Sequence, residues 1–204
     1  MIQSEQIAAD LLRIGAVFLR PQEPFTWASG IKSPIYCDNR LTLSDVEVRE
    51  DVENGLVELI RRYYPDAEML MGTSTAGIAH AAITATKMQL PMGYVRSGSK
   101  DHGRQNRIEG RLLPGQKVVV VEDLISTAGS CIEVVEALRE AGADVLGIVS
   151  IFTYGMQKGL DRLADAHTVN HSLSNLDILA DVAVEEGYIT EKEKAELIQF
   201  RDSL

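Results

Sequence analysis

The chain has 204 residues, of which 45% are hydrophobic and only 5% aromatic, a composition that suits a single α/β domain with an aliphatic core better than a β-sandwich. Lys and Arg number 20 against 30 Asp and Glu, and the net charge of -10 argues against broad binding to nucleic acids or anionic membranes. No apolar run approaches the roughly 18 residues of a membrane span, and the acidic N-terminal stretch lacks the basic start of a signal peptide. Cys37 and Cys131 have no CxxC spacing, which predicts reduced thiols and a cytoplasmic protein.

The first third of the chain predicts two helices separated by an irregular segment. Apolar residues at helical spacing predict an amphipathic helix over residues 4–18. Residues 21–43 are rich in Pro, Gly and Ser, with a short strand at 35–37. Ser44 and Glu47 have the spacing of a capping box, which predicts a second helix ending near Tyr64.

From there the chain alternates between strands and helices. The predicted order is strand 68–71, helix 77–88, strand 92–96, strand 118–121, a helix closed by Gly142, strand 145–152, helix 157–164 and strand 168–169. Capping patterns at Ser174 with Asp177 and at Thr190 with Glu193 predict two final helices.

This alternation predicts an α/β fold with a mostly parallel sheet flanked by helices, because parallel strands need helical crossovers. We expect one domain with a core over about residues 44–170. Residues 1–43 and the C-terminal helices, 173–204, are expected to form a small hood over the strand ends.

The most informative segment is Lys117–Ser130, KVVVVEDLISTAGS. Four valines predict a strand buried on both faces, and the acids Glu122 and Asp123 follow it directly. The small residues after them let backbone N–H groups approach an anion at the start of the next helix. Such a segment can bind a phosphate through its loop and a sugar diol through its acids; the alternative is an ordinary strand-loop-helix with a solvated acidic corner.

A second loop repeats this arrangement. Residues Gly72–Gly77, GTSTAG, follow a short strand and precede a helix. The alternative is a plain turn in which Thr75 caps the helix. Beside another phosphate-type loop, the segment predicts a second anion site.

The third segment, residues 94–110, reads YVRSGSKDHGRQNRIEG and combines basic residues with a histidine. Residues 97–116 have neither helical nor strand periodicity, and long aperiodic loops in compact domains are usually functional or disordered. We expect a mobile lid over residues 97–110, and the alternative is a solvated charged loop. The histidines elsewhere, His80, His167 and His171, have no metal-ligand spacing.

Together these segments resemble the orotate phosphoribosyltransferase family of type I phosphoribosyltransferases, over nearly the whole chain. Residues 25–40, FTWASGIKSPIYCDNR, are similar to the family's N-terminal substrate segment. VVVVEDLISTAGS is similar to its motif for 5-phosphoribosyl 1-pyrophosphate (PRPP), and TSTAGIAHAA to its pyrophosphate loop. YVRSGSKDHG is similar to its catalytic lid, and the KDHG pattern favours orotate over other bases.

The resemblance implies a type I phosphoribosyltransferase fold and transfer of a 5-phosphoribosyl group from PRPP to orotate, a step of pyrimidine (UMP) synthesis. It also implies Mg²⁺ held mainly by substrate and water, with no protein metal ligands, and a homodimer whose lids act across subunits. The implied site residues are Lys100, His102 and Asp123 for catalysis; Arg96, Lys100, His102, Glu122, Asp123, Leu124, Ile125, Ser126, Thr127, Ala128, Gly129 and Ser130 for PRPP; Thr73, Ser74, Thr75, Ala76 and Gly77 for the pyrophosphate; and Ser126 for orotate.

The chain departs from the family pattern near orotate. Ser97 stands where many members carry a Lys, and Ala28 and Tyr154 stand where some carry Lys and Arg. The orotate carboxylate would then be met by backbone N–H groups or Lys32. Two alternatives are a phosphoribosyltransferase for another base and a PRPP-sensing regulator without catalysis.

Overall fold

A computed structural model describes residues 3–20, 22–26, 32–96 and 107–204. The helices are α1 Ser4–Arg13, α2 Val46–Tyr63, α3 Ala76–Met88, α4 Gly129–Glu140, α5 Gln157–Asp165, α6 Leu176–Glu185 and α7 Glu191–Asp202, and a 3-10 helix spans Asn39–Ser44. The strands are β1 Val17–Leu19, β2 Phe25–Thr26, β3 Lys32–Ser33, β4 Ile35–Cys37, β5 Met69–Thr73, β6 Met92–Val95, β7 Ile108–Glu109, β8 Lys117–Ile125, β9 Asp144–Thr153 and β10 Asn170–Asn175.

The main sheet has six strands in the order β10-β9-β8-β5-β6-β7. All neighbours are parallel except β6 and β7, which are antiparallel at the edge. The predicted fold class, a mostly parallel sheet flanked by helices, is confirmed. The strand order reverses between β5 and β8, and ligands of open α/β sheets bind beyond the strand ends at such a switch point.

The valine run of β8 joins the two halves of the core. Val119 and Val121 pack in the cluster with helices α1, α2, α3 and α6, whereas Val118 and Val120 pack with α4 on the opposite face. All four are fully buried. The run is continuous, not alternating, because both faces of a parallel sheet are covered.

Helix α1 ends at Arg13, so the predicted extension to residue 18 is wrong. Gly15 has a φ of +68°, and the N–H groups of Gly15 and Ala16 donate to the carbonyls of Leu12 and Leu11. This is a Schellman ending, which stops the helix and sends the chain into β1.

The cap of α2 lies one residue later than predicted. Asp45, not Ser44, has extended backbone and accepts a hydrogen bond from Val48 N, because Ser44 belongs to the 3-10 helix. The predicted box of Ser44 with Glu47 is therefore wrong.

Of the two caps predicted for the C-terminal helices, one is displaced by one residue and the other is present as predicted. Asn175, the last residue of β10 and the one directly before α6, is the cap in place of Ser174 and accepts from Ile178 N. The box of Thr190 with Glu193 at α7 is confirmed, with both reciprocal hydrogen bonds present.

Sequence periodicity misplaced one strand and missed another. Residues 168–169 precede β10, whose sequence NHSLSN is too polar to be recognised as a strand without its neighbour β9. The aperiodic segment contains β7, two residues that pair with β6. Across the described parts of the chain, no helix combines the length and apolarity that crossing a bilayer requires.

Candidate active site

The two acids lie within β8 and not beyond it. The parallel ladder with β9 continues past the valines, pairing Glu122 with Ser150 and Ile125 with Thr153. The predicted strand end at residue 121 is therefore wrong, because the long partner β9 keeps β8 extended. Glu122 and Asp123 still lie near the carboxyl end of the strand, at the switch point where the strand order reverses between β5 and β8.

Glu122 is almost fully buried, with 6% of its surface exposed. Its Oε1 accepts hydrogen bonds from Thr73 Oγ1 at 2.7 Å and from the backbone N of Asp123 at 2.9 Å. Burial, and next the neighbouring Asp123 carboxyl, raise the pKa of Glu122 to about 8. A proton or a hydrogen-bonding ligand would stabilise this acid at neutral pH.

Asp123 is half-buried, and a contact that sequence reasoning missed holds its backbone in place. Its backbone carbonyl accepts a 2.7 Å hydrogen bond from Nδ2 of Asn39, a fully buried residue 84 positions earlier. The Sγ of Cys37 donates to Asn39 Oδ1 at 3.1 Å. The segment after β4 is thereby attached to the tip of β8, a contact that no motif spacing could predict.

The loop after β8 turns sharply into α4. Ala128 adopts a left-handed conformation with φ of +58°, and no side chain in the described residues caps the first turn of α4. The predicted phosphate residues Ser126, Thr127, Gly129 and Ser130 therefore surround a helix N-terminus whose N–H groups can meet an anion.

Helix α5 packs against the backbone of this loop at Ser126 and Thr127. Arg162 Nη1 donates to the Thr127 carbonyl at 3.0 Å. A Cβ at Gly159 would lie 2.6 Å from the Ser126 carbonyl, so only glycine permits this approach. The sequence did not single out either supporting residue.

The predicted PRPP residues Leu124 and Ile125 direct their side chains into the two cores. The Ile125 carbonyl accepts from Tyr154 N at 3.0 Å. Their side chains therefore hold the strand end in place, and their role in binding PRPP stays a prediction.

The loop at the end of β5 lies beside β8. Ser74 donates from both its N–H and its hydroxyl to the Val95 carbonyl at the end of β6. Thr75 precedes α3 without a side-chain cap, so the interpretation of Thr75 as a helix cap is wrong. The peptide bond between Ser74 and Thr75 is cis.

Ala76 and Gly77 begin α3 itself. A Cβ at Gly77 would lie 2.4 Å from the Val121 carbonyl and 2.5 Å from Thr73 Oγ1. The glycine therefore lets α3 start directly against β8, which brings the two loops together.

Arg96 follows β6 on the same edge of the sheet. Its Nε lies 3.1 Å from Glu109 Oε1 on β7, and its backbone N donates to the Arg107 carbonyl. The predicted catalytic residues Lys100 and His102, like Ser97, lie outside the described residues.

The residues considered for contact with orotate, Lys32, Tyr154 and Ala28, lie in different surroundings. Lys32 donates from Nζ to Thr26 Oγ1 at 2.6 Å and is exposed. Tyr154 is buried and packs edge-to-face against Phe152, with its pKa raised by burial and by the nearby Cys37 thiol. Ala28 lies outside the described residues.

Comparisons with known proteins agree with this geometry. A family model described as a phosphoribosyl transferase domain matches residues 48–185, which include both loops. The orotate phosphoribosyltransferase of Bacillus cereus (strain B4264) is 58% identical over 197 residues, covering 97% of this chain and 94% of that protein.

Two solved structures are also similar. Orotate phosphoribosyltransferase from Aeropyrum pernix is 28% identical, with a TM-score of 0.78, covering 90% of this chain and 99% of that one. UMP synthase from Leishmania donovani is 25% identical with a TM-score of 0.83, and the match covers 98% of this chain and 42% of that chain. The two loops lie at the switch point of the sheet, and the chain is 58% identical to the Bacillus cereus protein over nearly its full length. The chain therefore belongs to the orotate phosphoribosyltransferase family of type I phosphoribosyltransferases.

Proposed function

We propose that this protein transfers the 5-phosphoribosyl group of PRPP to orotate, giving orotidine 5′-monophosphate and pyrophosphate for pyrimidine synthesis. One observation carries the proposal: the two predicted anion loops end neighbouring strands, where Thr73 and Glu122 are in hydrogen-bond contact. PRPP carries a 5-phosphate and a pyrophosphate on one ribose, so its binding needs two anion sites flanking a diol site. The names of the curated relatives supply the acceptor base.

Within this site, residues 126–130 would bind the 5-phosphate through backbone N–H groups and hydroxyls. Glu122 and Asp123 would accept hydrogen bonds from the ribose hydroxyls. The loop Thr73–Gly77 would bind the pyrophosphate, and Ser126 would also contact orotate. In the described part of the chain, no side chain caps the N-terminus of α3 or of α4, which supports both anion assignments.

The reaction breaks the bond between the anomeric carbon and the pyrophosphate oxygen and forms a bond from that carbon to a ring nitrogen of orotate. Positive charge develops on the ribose and negative charge on the leaving group. Positioning and electrostatics should therefore supply most of the catalysis. Asp123 would stabilise the positive charge on the ribose. The pyrophosphate would be neutralised by Arg96, Lys100 and His102, and the lid over residues 97–110 would exclude water.

Magnesium fits the residues present. It prefers hard oxygen ligands and retains several waters, and it is commonly held by substrate phosphates with one or two carboxylates. Among the described residues, no group of three or more His, Cys, Asp or Glu side chains could hold a metal ion. The half-buried Asp123 offers carboxylate oxygens beside the proposed sugar site, and bound Mg²⁺ would add positive charge at the pyrophosphate.

The surrounding architecture is part of the proposal. Residues 1–43 and 173–204 would form the hood over the core, 44–170, and the hydrogen bond from Asn39 to Asp123 supports this. The enzyme would act as a homodimer in which each lid reaches the partner's site. Both cysteines are free thiols, which suits a reducing compartment such as the cytoplasm.

The direct test measures loss of orotate absorbance on adding PRPP, with and without Mg²⁺. We expect turnover that depends on both PRPP and Mg²⁺. A panel of other bases distinguishes a sister enzyme. PRPP binding without turnover of any base would contradict the proposal and indicate a PRPP-sensing regulator.

The lid assignment has its own test. Lys100→Ala should lower turnover by about 10²–10³, the effect of removing one group that stabilises transition-state charge. If lids act across subunits, mixing inactive Lys100→Ala with inactive Asp123→Ala should restore activity in dimers that contain one intact site. Mixed dimers without activity would show that each lid serves its own subunit.

A further inference from the structure

Thr73 stands at the start of the proposed pyrophosphate loop, but its side chain faces the protein. The residue is 3% exposed, and its Oγ1 donates to Glu122 Oε1 at 2.7 Å. The same hydroxyl lies 3.4 Å from the Val121 carbonyl. A buried hydroxyl that donates to a carboxyl oxygen has its only proton committed, so it has none to donate to an anion in the loop.

The first turn of α3 encloses this hydroxyl. The Cα of Gly77 approaches so closely that a side chain there would meet Thr73 Oγ1 at 2.5 Å. The Thr73 side chain therefore occupies a space bounded by β8 and α3, on the interior side of the loop.

On the other side of the contact, Glu122 Oε1 receives two donors, Thr73 Oγ1 and the backbone N of Asp123. Two donors on one oxygen fix the rotation of the carboxyl group and therefore the direction of its other oxygen. Within the described residues, the Asp123 carboxyl on the same strand raises the pKa of Glu122, and Glu122 in turn raises the pKa of the Cys131 thiol on α4.

We infer that Thr73 is a positioning residue: its hydroxyl orients the Glu122 carboxylate toward the ribose hydroxyls of PRPP and does not bind the pyrophosphate. The inference deepens the proposed function and rests on it. Through this hydrogen bond, the strand that carries the pyrophosphate loop sets the geometry of the sugar site on the neighbouring strand.

The two roles separate when PRPP is tested as two fragments. Ribose 5-phosphate retains the hydroxyls, and magnesium pyrophosphate retains only the leaving group. By calorimetry, Thr73→Val and the smaller Thr73→Ala should bind ribose 5-phosphate about 10-fold more weakly, the effect of losing one hydrogen bond to a charged group. Magnesium pyrophosphate should bind within about 2-fold of wild type, which is below the effect of one lost hydrogen bond. Thr73→Ser keeps the hydroxyl and should restore ribose 5-phosphate binding.

Thr84→Val is the matched control, because Thr84 is a fully buried threonine that donates at 2.7 Å to another buried glutamate, Glu53. It should lower the melting temperature as Thr73→Val does, and bind both fragments like wild type. A role of Thr73 in stability alone would make the two variants indistinguishable in binding.

The pH dependence of binding adds a second readout. The Thr73 hydroxyl lowers the pKa of Glu122, against the larger opposing effects of burial and Asp123. Its removal should therefore raise the pH at which ribose 5-phosphate binding strengthens, and Thr73→Ser should lower that pH again.

Weakened pyrophosphate binding with unchanged ribose 5-phosphate binding would overturn the inference, as would folded Thr73→Val and Thr73→Ala proteins that bind both fragments like wild type. In either case wild-type turnover of orotate with PRPP leaves the proposed function standing. Wild-type protein that binds neither fragment and turns over no orotate would instead refute the proposed function and the inference with it.

Discussion

Among the residues that the structure describes, two glutamates are buried, with nearly the same hydrogen bond and opposite surroundings. Glu53 on α2 is fully buried, where it accepts from Thr84 Oγ1 and pairs with His80 Nδ1, both at 2.7 Å. Glu122 on β8 accepts from Thr73 Oγ1 at 2.7 Å, but its charged neighbour is a second carboxyl, Asp123.

The difference separates a structural acid from a functional one. An imidazole and a hydroxyl on α3 occupy both oxygens of Glu53, so that contact joins two helices and faces no ligand. Glu122 lies near the carboxyl end of an inner strand, β8, beside a second carboxyl group, an arrangement that raises the pKa of an acid and is found often at functional sites. The same donor therefore stabilises packing in one place and prepares a binding site in the other.

The largest expected effect is a reversal between the two alanine variants. Glu53→Ala should lower the free energy of unfolding by about 3–5 kcal/mol, because it leaves His80 and Thr84 buried without their partner. Glu122→Ala should cost only about 1 kcal/mol, since Thr73 can turn to the Val121 carbonyl. Denaturant unfolding measures both.

Activity should follow the opposite order. Glu122→Ala should lower kcat/KM for PRPP by about 10²-fold, the effect of losing charged hydrogen bonds to the ribose. Folded Glu53→Ala protein, assayed well below its melting temperature, should remain near wild type. Equal losses of activity would show that Glu53 also serves the site.

The pH dependence of stability sharpens the comparison next. The folded-state pKa of Glu122, about 8, lies above its ordinary value, so the stabilisation from its proton is complete at low pH and is lost as the pH rises through about 8. The free energy of unfolding, and the melting temperature with it, should therefore fall between about pH 4.5, the ordinary pKa of a glutamate, and about pH 8, by a few kcal/mol at most.

Glu122→Gln isolates this contribution, because the amide cannot ionise. Its melting temperature should depend less on pH over that range than that of wild type. Parallel curves for the two proteins would mean that Glu122 does not titrate there.

A smaller effect is expected where the two loops meet. Gly77→Ala would place a Cβ against the Val121 carbonyl, so α3 must shift at a cost of about 1–3 kcal/mol. PRPP binding should weaken as well, because the shift moves the proposed pyrophosphate loop. Gly129→Ala at the start of α4 is the stability control, since among the described residues its Cβ would meet only the end of the long Arg162 side chain, at 3.2 Å; a cost equal to that of Gly77→Ala would contradict the clash with β8.

The smallest effect belongs to a helix outside the proposed site. Thr190→Ala removes the capping box of α7 and should cost about 1 kcal/mol, or about 2–4 °C in melting temperature for a chain of this size. Turnover should not change. A loss of turnover would connect α7 to the site and blur the contrast between capped structural helices and the uncapped N-termini of α3 and α4.

Much of this fold could be read from local patterns. The valine run predicted a strand buried on both faces, and the alternation of elements predicted the parallel sheet, because each signal lies within a few consecutive residues. The helix caps were predicted less well. The box at Thr190 was right, whereas the caps predicted at Ser44 and Ser174 each lie one residue too early, because Ser44 belongs to the 3-10 helix and Ser174 to β10. The polar β10 was misplaced because only its pairing with β9 makes it a strand.

The sequence by itself determined the chemistry that this protein brings together: paired acids after a valine strand, two small-residue loops and a basic segment. Only the tertiary structure decided which groups touch. Thr73 is joined to Glu122 across 49 positions and Asn39 to the Asp123 carbonyl across 84. Such contacts arise from the order of strands in the sheet and from packing, and no short stretch of sequence contains both partners.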